Sequence, residues 1–167
     1  GICQGLILML EPRRLAARAA AERMAKTLGE KLGERIGYRI RGESKTGPKT
    51  RVEVVTEGIL TRMIQSNPEL TGVDAVIFDE FHERSMNADL GLALCLEIAE
   101  ALRNDLTLLV MSATVDTAPV AALMGDAPVI SSKGQSFAID QRWLDRPLSK
   151  AIHYETAVAN LVLRAAA

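Results

Sequence analysis

VDAVIFDEFHERS, residues 73–85, decides the reading of this chain. A six-residue run, apolar except for Asp74, ends in two adjacent carboxylates, Asp79 and Glu80, and His82, Glu83 and Arg84 follow closely. A short apolar run bounded by polar residues suits a strand buried in a parallel sheet, and such sheets gather their ligand groups where the strands end at the carboxyl edge. Paired acids in that place need a cation. In nucleotide hydrolases an Asp there holds Mg2+, usually through water, and a neighbouring Glu orients or deprotonates the water that attacks the γ-phosphate. A bare Asp-Glu pair reads equally well as a solvated strand end with a helix-capping Asp, so the surrounding sequence has to decide.

Upstream, Leu6–Leu10 (LILML) is a second continuous apolar run, stopped by Pro12. Residues 13–28 are rich in Ala, Leu, Arg, Glu, Met and Lys, which predicts a helix, and Gly29 can close it. Alternating, β-branched segments at 36–41 (IGYRIR) and 51–56 (RVEVVT) predict strands, and 57–65 a helix. Downstream, 88–102 reads as a helix, 106–111 (LTLLVM) as another buried strand and 118–124 as a helix, with strands near Val129–Ile130 and over 137–143 and a last helix from about His153. Strands alternating with helices of these lengths predict an α/β fold with a mainly parallel sheet flanked by helices.

Charge is uneven along the chain. Residues 1–52 hold 12 Lys/Arg against 5 Asp/Glu, and residues 53–167 hold 8 against 16. A basic first third suits contact with a phosphate backbone and an acidic remainder suits a metal ion, although solvated helix faces give the same pattern. The two cysteines, Cys3 and Cys95, are far apart and lack His-rich company, so no disulfide framework or zinc site is indicated, and a reducing, cytoplasmic setting is expected. No run approaches the roughly 18 apolar residues of a membrane-spanning helix.

GESKTGPKT, residues 42–50, imitates a phosphate-binding loop, G-x-x-x-x-G-K-[ST], with one inserted proline. A working loop follows a strand and opens a helix, whereas this one precedes the strand-like RVEVVT, and Pro48 removes an amide donor. The segment is read as a polar loop between strands with Gly47-Pro48 at its turn. No other G-K-[ST] occurs.

Asp79-Glu80-Phe81-His82 resembles the D-E-x-H signature of the DEAH-box helicases, and three further stretches resemble that family's motifs in kind and order. Ser112-Ala113-Thr114 after LTLLVM is similar to the Ser-Ala-Thr motif, Glu11-Pro12-Arg13-Arg14-Leu15-Ala16-Ala17 to P-R-R-x-A-A, and Thr56-Glu57-Gly58-Ile59-Leu60 to T-[DE]-G-[ML]-L. Gly37-Tyr38-Arg39-Ile40-Arg41-Gly42-Glu43 also follows a family pattern.

This resemblance implies a RecA-like domain of the phosphate-loop NTPase class, part of a superfamily 2 helicase that couples ATP hydrolysis to movement on RNA or DNA. It implies Asp79 as the Mg2+ anchor, Glu80 as general base, and His82 as the link from the γ-phosphate to Ser112, Ala113 and Thr114. Arg13, Arg14, Thr56 and Gly58 are implied to contact a single-stranded nucleic-acid backbone. Residues 1–130 are expected to be a first RecA-like domain lacking its N-terminal start. Residues 131–167 are expected to be linking strands and a helix toward a second RecA-like domain of the same parent chain, which brings an arginine finger.

The family places its phosphate loop just before the strand read at Leu6–Leu10, so a piece without that loop or the second domain is expected to be inactive alone. Two other readings stand beside this one. The first is a non-catalytic nucleic-acid-binding or interaction module, which would bind single strands salt-sensitively without Mg-nucleotide. The second is an unrelated α/β metal-dependent hydrolase using Asp79 and Glu80, which would bind metal without nucleotide preference.

Overall fold

A computed structural model describes residues 3–113, 117–132, 134, 138–141, 143, 144 and 153–166. The chain divides into two compact units, Gly1–Val129 and Ile130–Ala167. In the first, strands β1 (Leu6–Glu11), β2 (Ile36–Ile40), β3 (Glu43–Lys45), β4 (Val52–Thr56), β5 (Val73–Phe78) and β6 (Thr107–Val110) form one sheet in the order β3-β2-β4-β1-β5-β6. Every pairing is parallel except that of β2 with β3. The helices of this unit are α1 (Arg14–Thr27), α2 (Glu57–Ser66), α3 (Met86–Ala101) and the short α4 (Ala118–Leu123).

The alternation of side chains along the central strands divides the core. Leu8 and Leu10 of β1 join Val55, Phe78, Leu60 of α2 and Leu92 of α3, whereas Met9 faces the cluster built by α1 against β2 and Val54. Helix α1 meets the sheet through Ala17, Ala21 and Ala25, a stripe at helical spacing whose small side chains let the helix lie close. Gly29, at φ +68, follows the helix as the closing residue expected there.

The one acid inside the apolar run of β5 has a local purpose. Asp74 accepts hydrogen bonds from the backbone amides of Gln4, at 2.6 Å, and Gly5, which tie the chain entering β1 to β5 and hold the carboxyl below the usual carboxylate range. A Cβ on Gly5 would crowd the Asp74 carboxylate and lie 2.7 Å from the Gly72 carbonyl oxygen, so this approach requires glycine.

The phosphate-loop look-alike is a hairpin and a turn. Gly42, at φ +82, lets the chain reverse from β2 into β3, a three-residue strand that the polar sequence ESK does not announce. Farther on, Thr50 N–H donates to Gly47 O at 3.0 Å across Pro48, and Gly47 N–H donates to the Thr50 hydroxyl at 2.8 Å. The turn expected at Gly47-Pro48 is therefore present, with the Gly47 amide already used.

Two sequence expectations fail. No strand forms at Val129–Ile130, and the described residues among 137–143 are irregular as well. Val129 and Ile130 are 55% and 93% exposed, so β-branched character found no neighbouring strand to pair with. In the second unit the described secondary structure is α5 (Tyr154–Ala166), near the helix expected from His153. Lys133 and Thr114 lie outside the described residues.

Gly37 sets the path of the hairpin, because a Cβ there would sit 2.7 Å from the Lys45 carbonyl oxygen and 2.9 Å from the Thr46 methyl. We expect Gly37→Ala to cost about 1–3 kcal/mol, as overpacking against backbone does. Urea unfolding measures it, and an unchanged midpoint would show that the hairpin yields freely.

Candidate functional site

Most of the residues singled out from the sequence lie at or just beyond the carboxyl ends of strands. Glu11 ends β1, Thr56 ends β4, Asp79 follows β5, and Ser112 and Ala113 follow β6. Parallel register aligns them: Leu10 pairs with Phe78 and Glu11 with Thr56, and Asp79 N–H donates to Leu10 O at 3.1 Å. Because β1 lies between β4 and β5, its end is flanked by the ends of both.

The stretch after β5 is fastened to the end of β6. Met111 N–H donates to Phe78 O at 2.8 Å, Phe81 N–H to Met111 O at 3.0 Å, and Ala113 N–H to His82 Nδ1 at 3.2 Å. Phe81 anchors this stretch in the core, edge-on to Phe78 with ring centroids 6.2 Å apart. The residues on either side of the 3-10 turn Phe81–Glu83, Glu80 at φ 50 and Arg84 at φ 48, are held in the left-handed region without being glycine. Such strain persists only where the surroundings impose it, and it concentrates at functional sites. Ser85 then caps α3 by accepting from Ala88 N–H at 2.9 Å.

His82 Nδ1 is also 3.4 Å from Glu80 Oε2. An amide only donates, so in the bond from Ala113 N–H the Nδ1 atom is the acceptor and is not free to donate to Glu80 at the same time. Glu80, exposed, is left with its carboxylate available, while its amide donates to Asp79 Oδ1 at 2.8 Å.

Glu11 is the residue that sequence reasoning missed as part of the acid site. It is 6% exposed and hydrogen-bonds Asp79; burial first, then the negative charges of Asp79, Glu80 and Glu83, push its carboxyl up to about 7. The available signal was its place as the last residue of one buried strand beside another that ends in acids. Crowded carboxylates suit a hard divalent cation. Among the described residues no three His, Cys, Asp or Glu side chains could together hold a metal ion directly. A cation here would rest on one or two carboxylates and water, the usual manner of Mg2+, and the donor set fits it on those terms.

Basic groups occupy the neighbouring edge. Arg13 is the N-cap residue of α1, a helix with no acid in its first turn and no capping side chain, so its positive end is uncompensated. Arg14 Nη2 donates to Arg41 O at 3.0 Å, which brings the β2–β3 hairpin and Arg41 beside it. Arg18 lies 3.5 Å from Glu43, which also accepts from the Tyr38 hydroxyl, so α1 grips the hairpin at a second point. Thr56 precedes α2 without spending its hydroxyl on a capping bond, and a Cβ on exposed Gly58 would meet nothing within 4 Å. That helix end is open to a ligand.

The sequence profile of DEAD/DEAH box helicases matches residues 3–123. The chain belongs to this family. The ATP-dependent RNA helicase HrpB of Escherichia coli is 54% identical over 155 residues, 93% of this chain and 19% of that protein. The ATP-dependent RNA helicase HrpA of the same organism is 37% identical over 145 residues, 87% of this chain and 11% of its own length. Among solved structures, the crystal structure of the E. coli DEAH/RHA helicase HrpB superposes with a TM-score of 0.86 at 52% identity, covering 96% of this chain and 20% of that one. The RecA-like α/β expectation therefore holds. The chain spans about a fifth or less of the length of these relatives.

The shifted carboxyl gives a pH test in metal-free buffer. A raised folded-state value means that neutral Glu11 contributes stability below its unfolded value near 4.5, and that this contribution is lost as pH rises through about 7. Glu11→Gln should match the parent chain in Tm near pH 4.5 and exceed it increasingly toward pH 8. A difference that does not vary with pH would mean that Glu11 is not crowded by its neighbours.

Proposed function

We propose that this chain is the first RecA-like domain, residues 1–130, of a longer cytoplasmic ATP-dependent helicase that acts on RNA, with residues 131–167 leading toward a second RecA-like domain. The observation that carries the reading is the fastening of the Phe78–His82 stretch to the end of β6 by three hydrogen bonds. A change at Glu80 or His82 is thereby felt at Ser112 and Ala113. The relatives' names supply RNA and ATP, and their greater length leaves room for a phosphate loop, which has no match in this sequence, and for an arginine finger from a second domain. Among the described residues, no helix is long and apolar enough to cross a membrane.

The division of labour follows from chemistry. Asp79, with Glu11 behind it, would hold Mg2+ through water; when bound, the ion neutralises charge on the phosphate oxygens. Glu80 is the general base, its exposed carboxylate taking the proton of the water that attacks the γ-phosphorus. His82 is the coupling residue, and rotation of its ring would break or make the bond to Ala113 and so carry the state of the phosphate site to Ser112-Ala113-Thr114. Arg13, Arg14, Thr56 and Gly58, with Arg41 beside them, grip successive backbone phosphates. Such contacts confer affinity without sequence preference.

In the full-length protein, Glu80→Gln should lower ATP turnover by about 10²-fold or more while leaving nucleotide binding intact. Unchanged turnover would remove Glu80 as the base. Arg14→Ala should weaken binding to different single-stranded RNAs alike and reduce the salt slope by about 1. A slope that stays the same would count against a phosphate contact at Arg14.

A further inference from the structure

Arg13 and Glu83 join the two halves of the site. Arg13 Nη2 lies 2.7 Å from Glu83 Oε1, across 70 residues of sequence, and the side chains remain 71% and 32% exposed. One partner stands at the uncompensated positive end of α1, and the other closes the strained turn that carries Glu80 and His82. The charge of Glu83 also reaches Glu11, which hydrogen-bonds Asp79. A single exposed ion pair thus stands between the basic edge and the acidic strand ends.

We propose that Glu83 is a positioning residue that competes with nucleic-acid phosphate for Arg13, so that backbone binding takes a cation away from the acidic strand ends. The inference rests on the reading of Arg13 as a phosphate contact. A pair of this kind is weak enough to be exchanged, because Arg13 stands mostly in solvent and Glu83 partly so. A phosphate oxygen offers the guanidinium the same charge-assisted bond that the carboxylate does, and the helix end adds to its attraction. Once Arg13 turns to phosphate, Glu83 is left uncompensated beside Glu11, Asp79 and Glu80, and those strand ends attract a divalent cation more strongly. By linkage, a cation bound there tightens the hold on nucleic acid by the same factor.

The test is a double-mutant cycle on the full-length protein, reading the Kd for a single-stranded oligouridylate at fixed salt without nucleotide. Glu83→Gln should tighten binding about two- to fivefold, the range expected on freeing one partner of an exposed pair. The gain should vanish in an Arg13→Ala background. Glu83→Asp, which keeps the charge but shortens the reach, should also tighten binding, whereas a general field effect predicts no change with Asp. Thermal melts of each variant show whether the turn still folds. Tightening of the same size with and without Arg13, or no tightening by Glu83→Gln in a folded protein, would overturn the competition. Should Arg13→Ala alone leave the oligouridylate Kd unchanged, the phosphate role of Arg13 itself would fall.

Discussion

The parallel pairing of β1 with β5 is the constraint on which the site depends. With Leu10 opposite Phe78 and the Asp79 amide bonded to the Leu10 carbonyl, the two strands end side by side, and their next side chains are both acids. A one-residue slip would turn Asp79 toward the other face of the sheet and separate it from Glu11. Asp74 opposes such a slip at the opposite end of the strands, since the two backbone amides that donate to its carboxylate fix the approach to β1. The carboxylate inside the apolar run and the carboxylates after it thus serve the same alignment from its two ends.

Much of this was legible in the sequence because the signals were local. The apolar runs at β1, β5 and β6 were bounded by residues that cannot continue a buried strand, and the alanine-rich α1 begins after Pro12. The acids and the Ser-Ala-Thr stretch lie beyond strands that could be recognised independently. What stayed hidden was set by contacts distant in sequence. Strand β3 has no hydrophobic pattern; it forms because Gly42 allows the reversal and because Tyr38 and Arg18 both reach Glu43. Glu11 reads as the first residue of an arginine motif, and only the register of β1 against β5 shows that it is buried among acids. Val129 and Ile130 show the converse, β-branched residues without a partner strand.

The site gathers like charges and then keeps them apart by geometry. Glu11 resolves the conflict by favouring its proton, His82 by accepting from an amide rather than donating to Glu80, and Glu83 by turning outward to Arg13. The left-handed conformations at Glu80 and Arg84 are the backbone counterpart of that arrangement. They aim successive side chains in different directions over a single turn. A regular helix would have stacked Glu80 and Glu83 on one face.

Helix α1 rests on the sheet chiefly through the methyl groups of Ala17, Ala21 and Ala25, with Ala20 and Met24 packed beside them. It therefore behaves mechanically as a stiff beam bolted to the β2 and β4 side of the sheet. Any tilt of those strands is delivered to its first turn, and so to Arg13 and Arg14, with little damping. Displacement at the strand ends is thereby passed through a close contact to the first turn of the helix.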